Sequence, residues 1–410
     1  MGYQRAKKEG TGMSQFILIE HIKVQNANAI AGFTWGFPAI THFLGFVHNL
    51  SRKLVSVPNY QNITLSGCAV IAHEHKVHTY GSYEQMFTQS RNPPYSRDLK
   101  SDEKDAPQPI TEEGKMNMTV SLLIGYKGNI GNRAESFKLW LKNSCLLQRL
   151  AGGTILEIAN ISFYSPEDNR DVRLITRRLL PGFVLLDRSE YLEEHYQKLA
   201  KENPDAELLD AWLDFTALKQ KARPKSDLIS KYLHQLIEKE PENKQFIQIL
   251  DIWNNHLQKP YHENEIPKEI LAFFDQLENN AENKKLMNQW KNYCEPDDNT
   301  DADWEYIKKP QMGYLIPIMT GYKAISRVYK NEEVNNTRDN ETDVCFVEAA
   351  HSIGEWQSAH HLKTPEQLKK SLWYYHYEEN WYLCRQGISL QSELDEDSDS
   401  IEYNTENIYS

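Results

Sequence analysis

Residues 24–50 read VQNANAIAGFTWGFPAITHFLGFVHNL and gather side chains of contrasting chemistry in a short span. Asn26 and Asn28 close an apolar stretch, Trp35 and Phe37 flank a glycine turn, and His42 and His48 follow on a helical pattern. An asparagine amide donates and accepts at once, which suits base edges and sugar hydroxyls better than proton transfer. A histidine there could abstract the proton of a ribose 2′-hydroxyl. No Ser, Tyr or Lys stands out to orient His42 or His48, so binding is the stronger reading.

Two further stretches carry anion chemistry. RLAGGTI places Arg149 beside Gly152 and Gly153. It reads either as the glycine cap that ends a helix or as a loop whose N–H groups approach phosphate. NRDVRLITRRLLPGF holds Arg170, Arg173, Arg177 and Arg178, four guanidiniums in nine residues. Each planar fork can take a phosphate bidentately; the plainer reading is a solvated face paired with Asp168 and Asp171. Phe37 and Tyr126 join Trp35 as rings that could stack unpaired bases.

Other chemistries find no anchor. AHEHKVH departs from the zinc-protease pattern, because Val77 stands four residues after His73. His73 and His75 share a strand face, yet no neighbouring cysteine or carboxylate group completes a metal site. No metal or cofactor is expected. There is no nucleophile elbow, phosphate-binding P-loop or dinucleotide fingerprint.

These residues need elements to hold them. FILIEHIKVQNANAI reads as a strand. Pro38 opens a helix in which Ile40, Phe43, Leu44, Val47, Leu50 and Leu54 recur at three- and four-residue spacing. Gly45 inside it costs about 1 kcal/mol against alanine, so it should pack closely onto a sheet. Two strands follow (LSGCAVIAHEHKVHTYG and MNMTVSLLIGYKG), then the helix RAESFKLWLKNSCLLQRL and the strand ILEIANISFY. A basic stretch runs into a further strand at RRLLPGFVLLDR. The order resembles the ferredoxin-like split βαβ unit, an α+β class.

The 410 residues are long enough for two to three domains. Five scattered cysteines without a CxxC pair fit a reducing cytoplasm. No apolar run is long enough to cross a membrane. The net charge of −12 is uneven: residues 191–310 carry 16 basic against 24 acidic side chains, 391–410 carry seven acidic and no basic ones, and 20–190 are net positive. A basic groove on the first half is compatible with that balance, because local potential governs binding. The divisions expected are a basic arm at 1–15, a core at 16–190, a helical insertion at 191–310 linked by CEPDDNTDADWEYIKKP, a return to the core at 311–390, and an acidic disordered tail at 391–410. The arm reads as flexible, or as an extension upstream of Met13.

The motifs together carry a resemblance. VQNANAI…TWGFPAITHFLGFVH, RLAGGTI, TRRLLPGFVLL, GYLIPIMTGYKAIS, TRDNET, FVEAAHSIGEW and LWYYHYEE stand in the order seen in the second subunit of the type I-F CRISPR Csy surveillance complex. That subunit is the Cas-five-type RAMP protein of its Cascade-like effector. The resemblance covers about residues 16–190 and 311–390. It implies an RRM/ferredoxin-like RAMP core and a prokaryotic, cytoplasmic, non-catalytic RNA-binding subunit in antiviral defence. Its implied partners are the 5′ handle of the CRISPR RNA, the large subunit, the first backbone subunit and, through the assembled complex, target DNA. It places Asn26, Asn28 and Trp35 near the handle, and Arg149, Gly152 and Gly153 in a loop against RNA backbone. Arg173, Arg177 and Arg178, with Lys323 and Arg338, are the phosphate candidates. The helical stretch, arm and tail depart from the family pattern. The rival reading is a metal-independent endoribonuclease that processes precursor CRISPR RNA through His42 or His48.

Overall fold

The computed structural model describes residues 15–387, apart from 33, 82–85, 92–109, 167, 278–282, 338 and 340. The expected arm up to residue 14, the tail and Arg338 lie outside the described residues.

The first strand, β1 (Gln15–Asn28), is apolar on both sides. Ile17, Ile19, Ile22 and Val24 turn into one core, while Phe16 and Leu18 turn into another. A strand covered on both faces reads as a continuous apolar run, which accounts for FILI. Helix α1 (Ile40–Val55) follows, then β2 (Thr64–Val77), β3 (Lys115–Lys127), α2 (Ala134–Leu146) and β4 (Gly153–Tyr164). These four strands pair antiparallel in the order β4–β1–β3–β2. Helices α1 and α2 cover one face through Phe43, Val47, Leu50, Phe137 and Leu141.

Gly45 does not pack closely, contrary to expectation. It is exposed, and a Cβ there would meet only the Tyr375 hydroxyl, at 3.9 Å. Helix α1 forms regardless, because its buried side chains each contribute roughly 1.5–3 kcal/mol and outweigh one glycine.

The basic stretch is itself a helix, α3 (Asn169–Leu179). The Asp168 carboxylate accepts the N–H groups of Arg170 and Asp171 and caps it. Val172, Ile175 and Leu179 press onto the second face of the sheet against Phe16, Leu18, Ile71 and Leu123. Strand β5 (Phe183–Asp187), α4 (Ser189–Glu202) and α5 (Leu208–Thr216) come next.

The chain divides into two compact units, one made of residues up to Phe215 with those from Gln311 onward, the other of Thr216–Pro310. Trp212 and Phe215 of α5 and Leu192 of α4 pack with Leu315 and Ile353 in the first unit. The second unit holds β6 (Gln220–Pro224), α6 (Asp227–Lys239), α7 (Lys244–Leu257), α8 (Lys268–Asp275), α9 (Lys284–Cys294) and β7 (Ala302–Tyr306). Its helices close around Trp253, Phe274, Trp290 and Tyr293. Strands β6 and β7 pair antiparallel, so part of the segment read as a linker is a strand. Arg223 on β6 donates to the carbonyls of Leu257 and Lys259, satisfying the end of α7.

The first unit resumes with β8 (Leu315–Ala324), β9 (Val347–Ser358), α10 (Pro365–Lys370), β10 (Trp373–Glu378) and β11 (Trp381–Gln386). These four strands join the large sheet, whose order is β5–β9–β8–β11–β10–β2–β3–β1–β4, with the short strand Arg149–Leu150 beyond β4. The edge of β2 away from β3 is shared. Cys68 pairs with Trp373 of β10, and Ile71 and Ala72 pair with Val184 and Phe183 of β5. The mixture of helix and large antiparallel sheet is α+β, as expected.

Candidate nucleic-acid interface

The end of β1 is irregular in a useful way. Its pairing with β3 slips between Val24 and Ala27, and Asn26 sits in the bulge at φ +57. Asparagine tolerates the left-handed region better than most residues, which explains its type here. The Asn26 amide N–H donates to Asn117 Oδ1 at 3.1 Å, and its side chain is left exposed. The Asn28 side chain is committed locally: its Nδ2 donates to the Ile30 carbonyl, and its Oδ1 accepts the Ile30 N–H.

RLAGGTI is neither a helix cap nor an open loop. Helix α2 stops at Leu146, and Arg149 and Leu150 pair with Thr154 and Gly153 as a hairpin. Its two turn residues, Ala151 and Gly152, have φ of +50 and +76. Two positive values are what a two-residue type I′ turn needs. A Cβ on Gly153 would meet Val24 Cγ1 at 2.6 Å and the Ala27 nitrogen and Gln25 oxygen at 2.7 Å. Gly153 thus lets the hairpin lie against the β1 bulge. Nothing lies within 4 Å of a Cβ on Gly152, so the tip is open. Arg149 Nη1 is 3.5 Å from the Gly152 carbonyl oxygen.

The fold therefore brings Asn26, Asn28, Arg149, Gly152 and Gly153 together. Beside them the polar face of the sheet forms a shallow groove of about 280 Å³, lined by Lys23, Gln25, Glu74, Lys76, Asn117 and Thr119. Lys23 is bound to Glu157 at 2.8 Å, whereas Lys76 has no ion-pair partner among the described residues. Sequence reading missed Gln25, Lys76, Asn117 and Thr119; two-residue alternation at the ends of β1, β2 and β3 was the available signal.

Trp35 pairs with Ile30 in a small hairpin that continues from β1; the residue is 45% exposed, and its ring centre lies 3.9 Å from that of Phe87. Phe37 and Tyr126 are not available for stacking. Phe37 packs on Phe43 and Trp356, and Tyr126 is buried. Lys323 on β8 holds its ammonium 4.8 Å from the centre of the Trp381 ring.

The arginines are elsewhere. Arg173, Arg177 and Arg178 lie on α3, over the first half of β1. Arg178 Nη1 bonds Glu20 at 3.3 Å, and Glu20 is buried and also accepts from Asn160 and Ser162. Glu20 and Asn26 are six residues apart on one bulged strand, a separation of at most about 20 Å at the rise of an extended chain.

The histidines do not assemble a catalytic centre. His42 and His48 are six residues apart on α1, and that spacing turns them to different sides of the helix. His42 Nδ1 is buried without a hydrogen-bond partner, and burial holds its imidazole below the ordinary value. His48 is exposed and meets the Tyr375 ring edge-on. In AHEHKVH, a bulge in β2 turns His73 inward, where Nδ1 meets the Pro181 carbonyl and Nε2 meets Ser121 Oγ, both at 2.7 Å. That resembles an activated serine, but Ser121 is fully buried and also accepts the His21 N–H. Its role is to join two bulged strands. Among the described residues, no group of three or more His, Cys, Asp or Glu converges on a metal position. No helix among them is long and apolar enough to cross a membrane.

The family model for CRISPR-associated protein Cas_Csy2 matches residues 17–247 and 225–384, nearly the whole chain. The chain belongs to the Csy2 family. A Csy2 relative, the CRISPR-associated protein Csy2 of Pseudomonas aeruginosa (strain UCBPP-PA14), is 29% identical over 394 residues, covering 92% of this chain and 95% of that protein. This is the family that the seven motifs resemble, the second subunit of the type I-F Csy complex in CRISPR antiviral defence. The two family matches overlap at residues 225–247 and together span the helical stretch 191–310.

Proposed function

We propose that the protein is a non-catalytic subunit of a type I-F CRISPR RNA-guided surveillance complex and holds the 5′ handle of the CRISPR RNA. The observation that carries this is the convergence of the Asn26 bulge, the open glycine hairpin and the polar sheet groove at one end of β1. Exposed amides there offer donors and acceptors to base edges and sugars, and Gly152 leaves room for a phosphate to approach backbone. The strand order β4–β1–β3–β2 with α1 and α2 on one face supports an RRM/ferredoxin-like RAMP core. Trp35, at the margin, offers a stacking face. The large subunit, the first backbone subunit and, through the assembly, target DNA complete the proposed set of partners.

The test is co-expression of this chain with the other complex subunits and a CRISPR RNA, followed by purification through this chain. A stoichiometric ribonucleoprotein with intact RNA is expected. A lone protein that trims the RNA would overturn the reading and turn attention to the histidines.

A further inference from the structure

Helix α3 and the segment Ala359–Lys363 face each other across a groove of about 500 Å³, lined by Asn169, Arg173, Thr176, Arg177, His360 and Lys363, with Leu362 at its floor. The two walls are tied together. Thr176 Oγ1 donates to the Leu362 carbonyl at 2.9 Å, and the Ala359 N–H donates to the Gly182 carbonyl at 2.9 Å. Basic side chains from distant parts of the chain are thereby fixed around one opening. Among the described residues, Arg173, Arg177 and Lys363 have no carboxylate partner, in contrast to Arg178, which is held by Glu20.

We propose that this groove is a second nucleic-acid site, a clamp for a phosphodiester backbone that is separate from the handle site at the end of β1. It rests on the nucleic-acid-binding reading above and adds His360 and Lys363 to the residues involved. Arg173 and Arg177 are one helical turn apart on one side of α3, about 5–6 Å between their Cβ atoms. That spacing lets two guanidiniums engage neighbouring phosphates of one strand. Among the described residues, the only aromatic ring in its lining is the His360 imidazole, so it offers little stacking surface for unpaired bases. Contacts to phosphate alone fix position and carry no sequence information. The clamp therefore binds without base preference, unlike the amide-rich site at the end of β1.

The experiment measures binding of the full chain to a short labelled single-stranded RNA and a short labelled DNA duplex, both of arbitrary sequence, across a salt series. The variants are Arg173→Ala with Arg177→Ala, Lys363→Glu, and Lys291→Glu on α9 as control. The double arginine variant should bind roughly tenfold or more weakly at low salt. It should also flatten the dependence of log K on log salt by about 1.4 for RNA or about 1.8 for duplex, the release expected for two phosphates. Loss with RNA alone makes the backbone that of the guide, and loss with duplex alone makes it DNA. Unchanged affinity and slope with both probes, or a wild-type chain that binds neither, overturns the proposal. Preference for handle RNA over scrambled RNA is read in parallel. The clamp variants should leave that ratio unchanged, and a wild-type chain with no preference would count against the handle reading instead.

Discussion

The Asn28 N–H donates to the Ala151 carbonyl at 2.7 Å, joining the end of β1 to the turn of the glycine hairpin. One hydrogen bond thus ties together two segments far apart in sequence, both of them part of the proposed RNA site. The same contact explains why Ala151 keeps a positive φ while buried: its carbonyl is spoken for on the inside, and the open side of the turn is left to Gly152.

The two glycines of that hairpin should respond differently to substitution. Gly153→Ala forces a Cβ into Val24, Gln25 and Ala27 and should destabilise the chain by about 1–3 kcal/mol. Gly152→Ala meets no atom and pays only for the left-handed backbone, about 1 kcal/mol; Gly152→Asn should be milder still. Urea denaturation of the three variants reads the order, and equal losses at both positions would contradict the packing.

Arg178 and its neighbours on α3 separate stability from binding. Arg178→Ala leaves the buried Glu20 carboxylate without its guanidinium and should cost about 1–3 kcal/mol. Arg173→Ala and Arg177→Ala should stay within about 0.5 kcal/mol, as exposed substitutions do. A melting temperature for Arg178→Ala matching that of the other two would remove the structural role given to this pair.

Gly45→Ala should stabilise the protein by about 1 kcal/mol, because the position is helical and open to solvent. Thermal unfolding measures it. A drop in stability would mean that α1 is covered at this point in a way the fold does not reveal.

Acid should weaken the fold through its histidines. Burial holds the imidazoles of His42, His73 and His256 below the ordinary value of 6.5. Unfolded chains take up protons at these sites as pH falls through about 6.5, whereas the folded protein does so only at lower pH. The unfolded state then binds more protons, and stability declines as pH falls. His256 is 2% exposed, joined to Tyr293 and Asn264, and further disfavoured as a cation by Arg223 and Lys259. Urea midpoints near pH 8 and near pH 5.5 should differ less in His256→Gln than in the wild type; an identical pH dependence would exclude His256 as a contributor.

The α+β class and the long strands were legible because each carries its own pattern. β1 shows an apolar run, and α1 repeats at three- and four-residue spacing. Helix α3 was not, because four arginines on its outer face drown the narrow stripe of Val172, Ile175 and Leu179; Asp168 as a cap was the overlooked signal. RLAGGTI was ambiguous for a different reason. A glycine pair after a helix fits a cap as well as a turn, and only the pairing of Leu150 with Gly153 decides. The family was legible in the order of seven motifs. The separation of the arginines from the asparagines was not, since distance along a strand becomes meaningful only once α3 is laid on the sheet.

The Leu185 carbonyl on β5 accepts both the Trp373 indole N–H and the Gln386 side-chain amide, each at 3.0 Å. On the ribosome these donors emerge long after Leu185. At 5–20 residues per second, the 188-residue wait for Trp373 lasts roughly 10–40 s. Through that interval the edge of β2 that will receive β10 has no strand to pair with, while the 216–310 unit, with a core of its own, is made and can fold. The inserted unit is thus complete before the body that carries it, and the nascent first half is the stage at which a chaperone would have an exposed strand to hold.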